Sequence, residues 1–207
     1  AKADGFFAGE ISALTIPGVR GKPDVVIAED EHPRPETTLD ALKKLRPLSE
    51  GGVPTAGNAW GTMEGAGALM PGGRRAGDKA GAKPIARIVS SGVAGVAPRT
   101  MGFGPVPAAK KALERAGLDI KDMDVIEINE AFAAQVLACL KGLDVDFKDS
   151  RVNPNGGAIA VGHPLGASGG RIALTAARQL QRTGGKYALV SMCIGVGQGI
   201  AMVIERA

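Results

Sequence analysis

Hydrophobic and polar positions alternate irregularly up to about Lys83 and become regular from Pro84 onward. In the first fifty residues the apolar runs are short. Phe6-Phe7 and Ile11 to Ile16 read as a helix end and a strand, and Val25 to Ala28 as a brief β-type run. Glu29 to Glu36 is charged and punctuated by Pro33 and Pro35, which no regular element accommodates. Thr37 or Thr38 then caps a short helix, Leu39 to Leu45, stopped before Pro47. Residues 51–84 are glycine-rich. The pattern predicts a tight loop over Thr55 to Gly61, no firm helix in Met63 to Met70, and a basic loop or poor helix from Pro71 to Lys83.

Beyond Pro84, β-type and helical runs alternate. Strands are predicted at Ile85 to Val96, Val125 to Ile128, Ala158 to Val161, Tyr187 to Met192 and Gly199 to Ile204. One helix starts at Pro105 or Pro107 and ends at Gly117, with proline at the start and glycine after the end. A second covers Glu130 to Leu143, with an apolar stripe at Phe132, Val136, Leu137 and Leu140. A third covers Ala167 to Arg182. This order predicts an α/β fold with a mixed five-stranded sheet, largely parallel and covered by helices. The link from Cys193 to Gln198 is too short for a parallel crossover, so the last strand is expected to run antiparallel to the one before.

The 207 residues suffice for one or two domains with a real core. Aromatics are only 3% and glycine reaches 31 residues, which suits tight Ala/Gly/Val packing better than an aromatic sandwich. The net charge of +4 has no stripe of Arg or Lys interleaved with aromatics, so it hints at small anionic ligands and argues against nucleic acid. Two cysteines, Cys139 and Cys193, make no disulfide framework and suit a reducing, cytoplasmic setting. No apolar run has transmembrane length and no signal peptide is visible. The first residue is Ala1; removal of a methionine and a start in mid-protein both account for that.

Chemistry gathers in Asn153 to Gly170, which holds six glycines, two prolines and His163. The local reading is strand, tight turn, helix N-terminus, a geometry that presents backbone N–H groups and a favourable dipole to an anionic ligand. Gly162, Gly166 and Gly169 do not have dinucleotide-fingerprint spacing. Pro164 biases His163 away from helical geometry, where it can serve as base or oxyanion donor, or as an ordinary turn residue. Asn129-Glu130, His163 and Cys193 are each expected just past a strand end, where ligands bind in open α/β sheets. A cysteine beside a histidine can act as nucleophile or acid/base; Asn129 can hold a water or cap the following helix. Gly195, in a turn, offers an N–H to an oxyanion. Zinc is not expected, because two cysteines and one nearby histidine complete no usual site.

Three stretches resemble the C-terminal motifs of thiolases, the acetyl-CoA acetyltransferase and 3-ketoacyl-CoA thiolase enzymes. They are Asn129-Glu130-Ala131-Phe132-Ala133-Ala134-Gln135, Asn155 to Ala160 continuing into Gly162-His163-Pro164-Leu165-Gly166-Ala167-Ser168-Gly169, and Cys193-Ile194-Gly195-Val196-Gly197-Gln198-Gly199. Asp30 to Arg34, Thr55 to Ala59 and Met101 to Ala108 support the match, which covers nearly the whole chain in the family's order. The resemblance implies reversible Claisen condensation or CoA-dependent thiolysis through an acyl-cysteine. His163 would activate the nucleophilic cysteine and help form an oxyanion hole, with Asn129 positioning its water. Cys193 would move the α-proton, and Gly195 would donate its N–H to the acyl oxygen. Met101 and Phe132 would line the pantetheine tunnel, and Arg34 would lie near the CoA nucleotide. Coenzyme A and acetyl-CoA would be substrates, with no cofactor. The resemblance further implies fatty-acid metabolism, and a homodimer or homotetramer for the full-length protein.

The family pattern carries its acyl-accepting cysteine in an N-terminal half that has no counterpart here. Cys139 falls on a predicted helix and is not that residue. The expected division is the end of the CoA-binding loop domain in 1–61, the last elements of the N-terminal domain in 62–82, and the C-terminal domain in 83–207. Such a chain alone is expected to be inactive. Trp60 stands where the family has a serine near the pantetheine, and an indole there could obstruct CoA; the departure runs to about Gly81, and a reading-frame slip and divergence both account for it. A competing reading is a non-catalytic thiolase-like module that binds CoA or lipid or completes a partner's site. A ketoacyl-synthase reading is weaker, because His32 lies in a proline-rich loop.

Overall fold

The computed structural model describes all 207 residues. The N-terminal part is built from small pieces. A single 3-10 turn at Phe6–Gly9 precedes a hairpin of β1 (Leu14–Ile16) and β2 (Val25–Ile27), paired antiparallel. Helix α1 (Leu39–Lys43) is capped by Thr38, whose hydroxyl accepts the Ala41 N–H at 3.2 Å. Helix α2 (Arg74–Lys79) is short and has no buried residue. The polar, glycine-rich composition of 60–83 gives these residues little apolar surface to bury, and most stay exposed.

The remainder folds around one sheet. Its strands are β3 (Ala86–Gly95), β4 (Val125–Ile128), β5 (Tyr187–Ile194) and β6 (Gln198–Arg206), in the order β3-β6-β5-β4. The last strand is antiparallel to β5, as the short link requires; Val196 and Gly197 make that turn with φ of 68° and 94°. β3 also pairs antiparallel with β6, so β4–β5 is the one parallel pair, and the sheet is mixed rather than largely parallel.

Helix α3 (Pro105–Ala116) and helix α4 (Ala133–Gly142) cover one face, packing Val106, Ala109, Leu113, Val136 and Leu140 against Ile126, Ile128, Leu189 and Val203. Helix α6 (Leu165–Thr183) covers the other through Ile172, Ala176 and Leu180, against Val125, Ala188, Val190 and Ile204. The alternation of neighbours along each strand between these two cores is the period-2 geometry of a sheet buried on both faces. All four residues of β4 are buried, including Glu127, which shares the α6 face with Val125.

Four sequence expectations are corrected. Ala158–Val161 is not a fifth strand but a single helical turn, α5, so the sheet has four strands. The free edge of β4 is already taken: Arg151 O accepts the Ile126 N–H at 2.8 Å, and Asn153 donates its own N–H to Ile126 O at 2.9 Å. The Asn153 amide then imitates a strand residue, accepting from Ile128 N at 2.9 Å and donating to Ile128 O at 3.0 Å. An apolar run of four residues cannot by itself distinguish a strand from a buried helical turn. Secondly, α4 begins at Ala133 rather than Glu130, because Phe132 is extended and the Gln135 side chain accepts the Ala131 N–H at 3.1 Å. Asn129 is therefore not its cap. Thirdly, Leu137 points to solvent, and Cys139 takes its place in the apolar stripe. Finally, His163 follows a helical turn, not a strand, with Gly162 at φ 97° making the corner.

Candidate active site

The carboxyl ends of β4 and β5 hold the site. Asn129 N–H donates to Ser191 O at 2.9 Å, which continues the parallel register one step past β4. The same register brings Cys193, near the end of β5, level with the turn after Asn129. The turn from Gly157 to Pro164 then delivers His163. Its place is set by Glu130, whose carboxylate accepts from Asn153 Nδ2 at 2.8 Å and from Ile159 N at 3.1 Å. Glu130 thus ties the end of β4 to the glycine-rich turn. Gly157 is needed there, because a Cβ would run into the Glu130 carboxylate.

His163 and Asn129 are buried, with Asn129 Nδ2 and His163 Nε2 3.2 Å apart. On the other side of the ring, Nδ1 lies 2.6 Å from Ser168 Oγ. Ser168 Oγ in turn donates to Pro164 O at 3.0 Å, which uses its only proton. Nδ1 is therefore the ring's donor, and Nε2 keeps its lone pair facing the Asn129 amide; the tautomer follows from the hydrogen-bond network. Burial, and secondarily the positive charge of Arg171, hold the His163 pKa below its ordinary 6.5. The imidazole is neutral near pH 7, the state a base needs. Asn129 Oδ1 is buried with no protein donor, an acceptor suited to an ordered water.

Cys193 is 7% exposed, and burial raises its pKa, so it is a thiol at neutral pH. Cys139 is also buried, pushed up to about 11 by burial, and donates to Gly102 O at 3.2 Å. Its thiol packs in the core. Gly195 is exposed in the β5–β6 turn.

The sequence-derived ligand contacts are spread more widely. Trp60 reaches the site: its ring meets His163 edge-on, 5.2 Å between centroids and 76° between planes. A short pairing puts it there, with Ala59 bridging Phe132, Trp60 N donating to Ala131 O at 3.1 Å and Ala133 N donating to Asn58 O at 2.9 Å. Phe132 is accordingly half-buried beside this loop. Met101 is half-buried in a 3-10 segment, Pro98–Phe103, whose Gly102 carbonyl contacts α4. Arg34 is exposed and folds back on its own loop, donating to Glu31 O at 2.9 Å and His32 O at 3.0 Å.

One residue of the site had not been singled out in the sequence, and another had been noted at the strand end without a role of its own. Ser168 orients His163, and its signal was a hydroxyl in the first turn of the helix after the histidine. Glu130 organises the turn, and its signal was a carboxylate directly beside Asn129. His32, placed by sequence in a remote loop, in fact touches the glycine-rich turn, with Nε2 3.2 Å from Ile159 O.

The layered α/β body carries a buried asparagine, histidine and cysteine toward one end of its mixed sheet. The family model for the thiolase C-terminal domain matches residues 82–206, and that for the thiolase N-terminal domain matches residues 1–71. The chain belongs to the thiolase family. It is 57% identical over 208 residues to a β-ketoadipyl-CoA thiolase of Acinetobacter baylyi, covering 100% of this chain and 51% of the relative. It is 54% identical over 209 residues to the 3-oxoadipyl-CoA/3-oxo-5,6-dehydrosuberyl-CoA thiolase of Escherichia coli, with the same shares. Among solved structures, human mitochondrial 3-ketoacyl-CoA thiolase superposes with a TM-score of 0.89 at 46% identity, over 100% of this chain and 51% of that one. The acetyl-CoA acetyltransferase of Bacillus anthracis gives 0.91 at 40% identity, over 100% and 52%. The expected thiolase-like fold is therefore correct. The chain spans about half the length of the relatives it matches. No helix is long and apolar enough to cross a membrane.

Proposed function

We propose that this chain supplies the acid/base half of a thiolase site, for reversible Claisen condensation and CoA-dependent thiolysis of 3-ketoacyl-CoA. The observation that carries this reading is the buried Asn129–His163–Ser168 chain, with its lone pair on His163 Nε2. In the cleavage direction, a cysteine from outside these residues gives its proton to Nε2, and its thiolate attacks the 3-keto carbonyl. The C2–C3 bond breaks, and its electron pair forms the acetyl-CoA enolate. Cys193 protonates that carbon; the CoA thiol then returns a proton to Cys193 as its sulfur takes the acyl group, and the departing cysteine thiolate regains its proton from His163. A water on Asn129, together with protonated His163, stabilises one oxyanion, and Gly195 N–H the other; such preorganised donors supply the largest share of the rate enhancement. Met101, Phe132, Trp60 and Arg34 would contact CoA. The substrates are acyl-CoA esters, and the chemistry calls for no separate cofactor.

The names of the nearby relatives support a dicarboxylic substrate, β-ketoadipyl-CoA, cleaved to succinyl-CoA and acetyl-CoA. Assembly of the full-length protein as a homodimer or homotetramer, a role in fatty-acid or related acyl-CoA metabolism, and a cytoplasmic location belong to the same proposal. The test is mass-spectrometric detection of both products from β-ketoadipyl-CoA and CoA, using the full polypeptide that carries this sequence. Failure on β-ketoadipyl-CoA and on a series of other 3-ketoacyl-CoA esters would overturn it.

A second reading, a non-catalytic CoA- or lipid-binding thiolase-like subunit, is favoured by one observation: the Trp60 indole packs edge-on against His163. Tight CoA binding without turnover by the full polypeptide would select it.

A further inference from the structure

Behind the site lies a buried guanidinium that the mechanism above does not use. Arg171 is on α6, one helical turn after Ser168, so it shares a face with the residue that orients His163. Its Nε, Nη1 and Nη2 are all buried, and none has a protein acceptor within hydrogen-bond distance. Glu127 approaches from β4, two positions before Asn129 and therefore on the same face of the strand. Glu127 is 1% exposed, and its Oε1 also lacks a protein donor. Nearly all buried polar groups are satisfied, and those without a protein partner are bridged by ordered water. Arg171 and Glu127 thus bracket the catalytic pair, one from the helix that carries Ser168 and one from the strand that carries Asn129.

We propose that Arg171 is a positioning residue for the reaction: held by Glu127 through buried water, its guanidinium fixes Ser168 and Asn129, and with them His163, from behind. This rests on the thiolase reading of the site. Charge supports the same assignment. Burial lowers the Arg171 pKa, and Glu127 when ionised, Glu10 and Asp30 from the N-terminal segments, and Glu130 oppose that and favour the charged guanidinium. The positive charge of Arg171 is also a cause, after burial, of the depressed basicity of His163. A cation placed there opposes protonation of Nε2 in the resting state and keeps the base free.

The experiment uses the full polypeptide and the variants Arg171→Met and Glu127→Met/Arg171→Met. The double variant removes both ionisable groups together, a change that buried pairs often tolerate when loss of one partner is disruptive. Two readouts are taken: kcat and KM for thiolysis, and the titration of the His163 imidazole by NMR, assigned by its loss in His163→Asn. The expected result is a fall in kcat of roughly tenfold or more, a KM within about threefold, and an upward shift of the His163 titration midpoint. If Arg171→Met does not fold, the double variant carries the same two readouts. A folded variant with wild-type kcat and an unmoved midpoint overturns the proposal and leaves Arg171 a purely structural residue. If the parent protein shows no thiolysis, the acyl-transfer reading fails on its own account, and the titration still decides whether Arg171 controls His163.

Discussion

His163 and Ser168 are five positions apart in the chain, and their polar atoms lie 2.6 Å apart, Nδ1 against Oγ. The first turn of α6 folds the serine back under the imidazole, and the Pro164 carbonyl fixes the direction of the serine proton. Ser168→Ala removes the acceptor for Nδ1–H. In the full polypeptide kcat is expected to fall at least about tenfold, since the lone pair is no longer confined to Nε2. The stability loss is expected to be about 1 kcal/mol, the net worth of one hydrogen bond. Paired kinetic and urea-unfolding measurements check this, and an unchanged kcat would remove Ser168 from the site.

Cys193 is buried and its thiol pKa is raised, as suits an acid that protonates carbon and a base that needs an acidic C–H beside it. Cys193→Ala is expected to slow exchange of the acetyl-CoA α-protons with deuterated water by about 10²- to 10⁴-fold, the usual worth of a positioned acid/base group. NMR of the recovered acetyl-CoA reads it directly. Exchange at the parental rate would assign the proton transfer elsewhere.

His163 and Glu127 give stability opposite pH slopes. The folded state holds His163 below its ordinary 6.5, so the unfolded chain binds that proton more readily. Its contribution is full above 6.5 and is lost as pH falls from there through the lower folded-state value. Burial lifts Glu127 from 4.5 to about 8, so the folded chain binds that proton more readily. Its contribution is full below 4.5 and is lost as pH rises through about 8. Urea midpoints across this range should show both limbs. Glu127→Gln is expected to flatten the alkaline limb, and an unaltered limb there would contradict the assignment.

Trp60 packs edge-on against His163, at a position where the thiolase resemblance implies a serine. Trp60→Ser is expected to tighten CoA binding by roughly tenfold, the effect of relieving about 1.4 kcal/mol of obstruction. Calorimetric titration with CoA measures it. Weaker binding in the variant would make the indole a wall of the site instead of an obstacle.

The 207-residue chain has two cysteines, both buried: Cys139 in the helical core and Cys193 near the end of β5, where the proposed function gives it the acid/base role. We expect the purified chain alone to give no thiolysis. It also exposes Leu14, Ile16, Val25, Val26, Ile88 and Val93, so it should associate in light scattering. Measurable turnover by a monodisperse sample would show that the nucleophile lies within these residues.

Most of the fold was legible because it depends on local pattern. Periodic apolar positions, proline at the start of α3 and glycine after its end defined the elements from Pro84 onward, and the short β5–β6 link decided one strand direction. Asn129, His163 and Cys193 could be singled out as candidates because few residue types carry acid/base or oxyanion-stabilising chemistry. What the chain alone left undecided depends on partners distant in sequence. Ala158–Val161 reads as a strand until Asn153 occupies the β4 edge, and edge occupancy is a tertiary fact. Glu127 lies within the predicted strand Val125 to Ile128, and only the closing of α6 over it makes it a fully buried carboxylate. The tautomer of His163, the edge contact of Trp60 and the unpartnered guanidinium of Arg171 all arise from side chains meeting across elements, where burial and hydrogen-bond accounting, not residue type, determine the outcome.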